Sequence, residues 1–289
     1  MLKRLIATCL ILMVASGYVA AAVGQQTRPE RIVRAIHAAH PQRVSTVAFR
    51  NGDWAVLVDG RWFYYAEGRF LPRELRYRIS RYRPVPFYNY ARELAPWVPP
   101  TPEQVARFRQ TATNRAAQLP RSEHLFNAIY RASTREEAER QLQNITFFGH
   151  RVRVHSAIVA PLSMVEQRVR SLSVNDASVR AWINNIDRMY GFVWRNIGGT
   201  QSRSFHSYGI AVDIMPRDTG GREVFWGWAR TEWWNIPHER RYHPPTSVVQ
   251  AFEAFGFIWG GKWSIFDTIH FEYRPELLLY NNFVVEHRR

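Results

Sequence analysis

Two stretches decide how this chain reads: Ser204-Phe205-His206-Ser207-Tyr208-Gly209-Ile210-Ala211-Val212-Asp213-Ile214 and Asp267-Thr268-Ile269-His270-Phe271-Glu272-Tyr273. In the first, Ile210, Val212 and Ile214 alternate with Ala211 and Asp213; in the second, Ile269, Phe271 and Tyr273 alternate with His270 and Glu272. A period of two is that of a strand with one buried face, so Asp213, His270 and Glu272 are expected opposite the apolar side chains. Two such strands could converge on a cation. His206, Asp213 and His270 offer two imidazoles and a carboxylate, three good ligands for Zn2+ with a fourth position left open. Hydrolysis at a metal also needs a carboxylate that moves protons. Asp267, three residues before His270, and Glu272, two residues after it, both qualify. The bland alternative, in a chain with 10 histidines, is that these are hydrogen-bonded caps and turn residues.

The chain has 289 residues, 46% of them hydrophobic and 14% aromatic, which excludes wholesale disorder. Lys+Arg 39 minus Asp+Glu 24 gives +15, and only Lys3 and Lys262 are lysines. The single cysteine excludes a disulfide scaffold and a Cys-bound metal, so any metal must use His and carboxylates. Lys3 and Arg4 precede an uncharged run from Leu5 to Gln26 that ends beyond Ala20, Ala21 and Ala22, the order of an export signal with cleavage near Ala22. The expectation is an exported protein of the periplasm or cell envelope, or a membrane-anchored one if the signal stays attached.

Residues 1–22 thus read as a signal peptide, 23–100 as a β-meander with a Pro-rich linker, and 101–289 as the main domain. The meander rests on Asn51-Gly52 and Asp59-Gly60 between short β-prone runs, strong hairpin signals. Pro84, Pro86, Pro96, Pro99 and Pro100 argue for a linker or a segment wrapped over a neighbour. Thr101 followed by Pro102 and Gln104 opens a helix expected to run to about Leu119. Further helices are expected over 122–142, 176–189 and 246–255, with short strands at 151–154 and 158–159. The fold class expected is α+β, a small antiparallel sheet carrying the metal site and flanked by helices, with the meander as an N-terminal appendage.

The quoted stretches also carry a resemblance. Residues 204–213, SFHSYGIAVD, fit SxHxxGxAxD, and residues 259–272, WGGKWSIFDTIHFE, fit WGGxW leading to DxxHFE. Together with Phe192-Val193-Trp194-Arg195 and Gly198-Gly199-Thr200, they resemble the D-alanyl-D-alanine carboxypeptidase-like zinc peptidases of the M15 family over roughly residues 185–275. The resemblance implies Zn2+ held by His206, Asp213 and His270, with Asp267 as the general base. It implies Arg195 at the developing oxyanion, Ser204 and Trp263 on the substrate, and Glu272 behind His270 as its orienting partner. The substrate class it implies is the peptide stem of peptidoglycan, cut at a terminal D-Ala-D-Ala bond or, in the alternative, at an L-Ala-D-Glu type bond. The stretch from Gly198 to His206 resembles the carboxypeptidase branch more closely. A non-catalytic envelope-binding protein of the same fold is the alternative from another class.

Other features invite weighing. Trp226, Trp228, Trp233, Trp234, Trp259 and Trp263 are six of the 11 tryptophans, and they line a groove or pack a core; the insertion at 217–245 is a candidate lid or rim. His238 and His243 are expected as solvent-exposed loop residues, and His37 and His40 as residues without an acid partner. Between Arg28 and Arg92, 13 arginines face five acids, an excess of 13 minus 5, or +8. Such a region suits anionic envelope polymers, and the export signal argues against nucleic acid as a partner.

Overall fold

The computed structural model describes residues 26–229 and 231–286, so the signal peptide read at 1–22 lies outside the described residues. Among the described residues no helix is long and apolar enough to cross a membrane. The elements run in the order α1 (Arg28–Ala39), β1 (Val44–Arg50), β2 (Asp53–Val58), β3 (Arg61–Tyr64), β4 (Leu71–Pro72), α2 (Pro102–Thr113), α3 (His124–Tyr130), α4 (Arg135–Arg140), β5 (Leu142–Phe147) and β6 (His150–His155). They continue with α5 (Val159–Ser173), α6 (Ala177–Asn184), β7 (Ile186–Tyr190), β8 (Ala211–Pro216), α7 (Thr246–Ala254), β9 (Phe257–Trp259), β10 (His270–Tyr273) and α8 (Pro275–Tyr280). Helices mixed with small antiparallel sheets make the fold α+β.

The N-terminal meander forms as its turns dictate. Asn51 and Gly52 have φ of 50° and 77°, and Asp59 and Gly60 have 47° and 78°. Those paired left-handed residues match the strand twist of a two-residue hairpin loop. Strands β1 to β4 pair in sequence order, with Val47, Val56 and Phe63 aligned on one face. Helix α1 packs there with Ile32, Val33 and Ile36 buried; Thr27 caps it by accepting from the Glu30 amide at 3.4 Å.

The Pro-rich stretch that follows is a strap lying against the main domain. Arg274 Nη2 donates to the Pro86 carbonyl at 2.9 Å, and Asn281 Nδ2 to that of Tyr88 at 3.0 Å. Lys262 Nζ donates to the carbonyls of Ala91 and Arg92 at 3.0 and 2.7 Å. A chain without regular hydrogen bonding must satisfy its backbone in some such way when it is covered.

Several expectations change. The helix from Thr101 has its capping box with Gln104 but ends at Thr113. The helix expected over 122–142 is two short ones, because Arg131 takes a left-handed φ of 48° and Thr134 caps a fresh start. Ile158 and Val159 open α5 rather than forming a strand, and residues 186–190 are strand β7 rather than the end of a helix.

The second sheet positions the site. Its order is β7-β8-β10-β9, antiparallel throughout. Val212 and Phe271 pair on the back face, and Phe271 stacks on Phe252 of α7 with ring centroids 3.9 Å apart. His270 pairs directly with Asp213, and Glu272 with Ala211, on the front. Alternation along β8 and β10 therefore buries one face in the core and aims the ionisable groups at a cavity.

Candidate active site

His206 sits on a single helical turn, Phe205–Tyr208, built by its neighbours. Ser204 Oγ accepts from the His206 amide at 3.3 Å and so caps the turn. Ser207 Oγ donates to the Arg195 carbonyl at 2.7 Å and accepts from its amide at 2.9 Å, tying the turn to the preceding loop. Gly209 closes the turn with φ of 70°, and a Cβ there would stand 2.6 Å from Leu142 Cδ2 and 2.8 Å from the His155 amide nitrogen. Gly209→Ala is expected to cost about 1–3 kcal/mol for the backbone alone, read as a lower urea midpoint; an unchanged midpoint would show that this turn tolerates a side chain.

Three side chains meet in front of the sheet. His206 Nε2 lies 3.2 Å from both Asp213 Oδ1 and His270 Nδ1, and His270 Nδ1 lies 2.8 Å from Asp213 Oδ1. Each imidazole is oriented by its other nitrogen. His206 Nδ1 is 2.6 Å from the Gly191 carbonyl, and His270 Nε2 is 3.2 Å from Glu272 Oε2. With a proton held on each of those outer nitrogens, a cation that displaces any proton from the inner ones meets two imidazole lone pairs beside the carboxylate. Tetrahedral bonds of about 2.0–2.1 Å place neighbouring ligand atoms about 3.3 Å apart, close to the spacing here. The residues fit a tetrahedrally bound dication by donor type and spacing.

The electrostatics say the same. Burial would raise the Asp213 carboxyl, but its hydrogen bonds and attraction to His206 and His270 hold it far below the usual range. Burial likewise opposes charge on His270, yet Asp213, Glu272 and Asp267 hold its pKa well above the usual imidazole value. A cluster that concentrates negative charge around imidazole lone pairs is suited to a cation.

Asp267 stands apart. Burial pushes its carboxyl up to about 7, with the Asp213 charge adding to the rise and His270 and Arg195 opposing it. Its Oδ1 is buried without a hydrogen-bond partner among the described residues. Gly260 makes this placement possible: the Asp267 amide donates to the Gly260 carbonyl at 3.1 Å, and a Cβ on Gly260 would lie 2.5 Å from the Asp267 carbonyl oxygen. Because its pKa is raised in the folded protein, this group's stabilising contribution is fully present below the unfolded value near 3.8 and lost as pH rises through about 7. Metal-free Asp267→Asn at pH 8 is therefore expected to be more stable than wild type by a few kcal/mol. Melting in the presence of chelator checks this; an equal or lower Tm would contradict it.

The cavity in front of the cluster has a volume of about 1010 Å³, and Arg195, Ser204, His206, Trp263, Asp267 and His270 all border it. Arg195 is exposed there, with its backbone held by Ser207. Ser204 borders the cavity, but its hydroxyl is engaged as the cap. Trp263 lies with its ring 5.4 Å from that of His270 and donates Nε1–H to the Tyr88 hydroxyl at 2.7 Å. Glu272 is buried; burial would raise its pKa, but His270, Arg274 and Arg121 lower it on balance. It faces the outer nitrogen of His270, away from the position a general base needs.

Sequence reasoning missed Tyr88, Arg121 and Arg274. Tyr88 and Arg121 border the cavity; Arg121 stacks on Phe205 at 5.1 Å and donates to the Arg203 carbonyl at 3.1 Å. No local pattern marked any of the three.

The remaining aromatic and histidine expectations divide. Trp233 and Trp234 are buried with Ile236 and Phe266 against Phe108 of α2, so they are core; Trp226 borders the cavity and Trp228 is exposed. Trp259 is scaffold, donating Nε1–H to the Thr268 carbonyl at 2.8 Å. His238 and His243 are half-buried rather than solvent-exposed, with rings 6.1 Å apart and His243 edge-on to Trp259. His40 has an acid partner after all: Nε2 lies 3.2 Å from Glu276 Oε2, a contact that spans 236 residues of sequence.

Residues 198–273 match a peptidase M15 family model described as D-alanyl-D-alanine carboxypeptidase. Residues 32–87 match a second family, described as a domain of unknown function. No solved structure matches the chain. The part of the chain that carries the His206, Asp213 and His270 cluster is the part that is similar to the M15 family of peptidases.

Proposed function

We propose that this protein is an exported, zinc-dependent D-alanyl-D-alanine carboxypeptidase acting on peptidoglycan stem peptides. The observation that carries the reading is the donor cluster beside Asp267: two imidazoles whose inner nitrogens converge with a carboxylate, next to a second carboxyl with an unpartnered oxygen among the described residues. Zn2+ would be held by His206, Asp213 and His270, and what it supplies when bound is Lewis acidity, which polarises a carbonyl and acidifies water. Asp267 takes the proton of the attacking water on Oδ1 and returns it to the leaving amine. Arg195 places a fixed positive charge beside the carbonyl oxygen as it becomes an oxyanion. Trp263 and Ser204 form the wall and floor on which the peptide rests.

The terminal bond is favoured by the charge of the cavity. Arg115, Arg121 and Arg195 border it against Asp267 and Glu272; Glu272 is already bound to His270 and Arg274, and Lys262, also at the border, is paired with Glu253. That surplus suits a peptide ending in a free carboxylate. Export is consistent with the charge and apolar order of residues 1–22 and with a substrate that lies outside the cytoplasmic membrane.

Incubating the protein with pentapeptide-stem muropeptides, with and without chelator, tests the proposal. Loss of one alanine from the stem, abolished by chelator and restored by Zn2+, is the expected product pattern. Cleavage between the first two stem residues would instead give the endopeptidase reading, and no metal-dependent product would leave a binding protein.

A further inference from the structure

A buried ionic chain runs from the candidate ligand His270 to the N-terminal unit. Glu272 Oε2 lies 3.2 Å from His270 Nε2, and Arg274 Nη1 donates to Glu272 Oε1 at 3.4 Å. Arg274 Nε donates to Glu276 Oε1, and Glu276 Oε2 meets His40 Nε2 at 3.2 Å. All five residues are at most 8% exposed, and Arg274 and Glu276 not at all. His40 is the residue just past the C-terminus of α1, and a second N-terminal contact reaches the chain where the Pro86 carbonyl accepts from Arg274 Nη2. Charges so deeply buried are tolerated only when every partner is in place, and removing one leaves the others uncompensated.

The same unit walls the cavity. Tyr88 receives the Trp263 indole N–H. Tyr90 accepts from the Trp259 amide at 2.9 Å and donates to Glu253, which also binds Lys262 Nζ at 2.6 Å. Both tryptophans belong to the stretch that precedes Asp267, so the strap fixes the flank of the loop that carries it. None of His40, Pro86, Tyr88 or Tyr90 falls within residues 198–273, the part shared with the peptidase family.

We infer that the N-terminal unit, matched only to a domain of unknown function, completes the active site, with His40 as a positioning residue that acts on ligand His270 through Glu276, Arg274 and Glu272. The inference rests on the reading of His206, Asp213 and His270 as the metal site. Loss of the His40 partner leaves Glu276 pulling Arg274 alone, which loosens Glu272 and with it the tilt of the His270 ring. Supporting partners of this kind typically change metal affinity or activity by about 10–100-fold.

The test uses the full protein carrying His40→Ala, His40→Gln and Glu276→Gln. His40→Ala and the isosteric Glu276→Gln are expected to weaken Zn2+ binding about 10-fold in competition with a chromophoric chelator. Both should also lower kcat with KM changed less than about twofold, and alter the visible absorption of the Co2+-substituted protein. His40→Gln, which keeps an N–H donor, is expected to recover most of the affinity. Wild-type affinity, kcat and Co2+ spectrum in Glu276→Gln and in whichever His40 variant folds would overturn the inference, even if Tm falls. A wild-type protein that takes up no ion, or one whose uptake is indifferent to Asp213→Ala, would instead overturn the reading of the site.

Discussion

Asp267→Asn is expected to retain its metal and lose turnover, with kcat down roughly 10²–10⁴-fold, the range that a positioned proton-transfer group contributes. The substitution keeps the shape and burial of the side chain, so the cluster of His206, Asp213 and His270 remains assembled. What it removes is basicity on the one carboxylate near the cluster whose Oδ1 has no partner among the described residues. Equal loss in kcat and kcat/KM with unchanged metal content would mark an interaction made only in the transition state. Glu272→Gln discriminates the competing assignment. Glu272 is bound to His270 and Arg274, so its loss is expected to weaken metal binding before it slows a metal-saturated enzyme. If Glu272→Gln at saturating Zn2+ is dead while Asp267→Asn turns over normally, Asp267 is not the base. The same residue links function to stability: the burial that lifts its carboxyl to about 7 makes its ionised form costly to the metal-free protein.

The contrast between what could be read and what could not follows the range of the interactions. The hairpins at Asn51-Gly52 and Asp59-Gly60 were legible because a two-residue loop needs positive φ at both positions, and these residue pairs supply it locally. Asp213, His270 and Glu272 were legible as one face because period-two alternation reports side-chain direction without reference to anything distant. Strand β7 was not legible. Ile186–Tyr190 lacks strong alternation, and its state is set by pairing with β8, where Met189 meets Ile214 and Tyr190 meets Asp213. Helix α5 was hidden by Ile158 and Val159, β-branched residues that favour a strand until the 3-10 turn at Ser156–Ile158 starts the helix. The supports of the site were least legible of all. Arg274 follows the motif directly, but its partners Glu276, His40 and Pro86 are joined only in three dimensions. The Pro-rich strap shows the same limit, since prolines exclude a long helix and say nothing of which surface the segment covers.

Asp213→Ala is expected to abolish activity by emptying the site, a loss in Zn2+ affinity greater than the roughly 10–100-fold caused by disturbing a supporting partner. Asp213 Oδ1 is the atom common to both imidazole contacts, at 3.2 Å from His206 Nε2 and 2.8 Å from His270 Nδ1. Its removal takes away one of three donors and the only anionic one. Two imidazoles facing each other at 3.2 Å would then have to hold a dication with no anionic ligand of its own in a buried setting. Asp213→Asn separates these effects, because it keeps an oxygen donor in place and deletes only the charge, so its affinity is expected to fall between wild type and Asp213→Ala. Metal content after dialysis and the visible spectrum with Co2+ give the answer independently of turnover. The converse pattern is equally specific: Asp213→Ala that keeps one equivalent of Zn2+ would place the ion elsewhere. The convergence of the inner nitrogens of His206 and His270 on Asp213 would then need a different explanation. In wild type, restoring Zn2+ after chelation should return full activity, because the outer hydrogen bonds to Gly191 and Glu272 orient both rings without help from the ion.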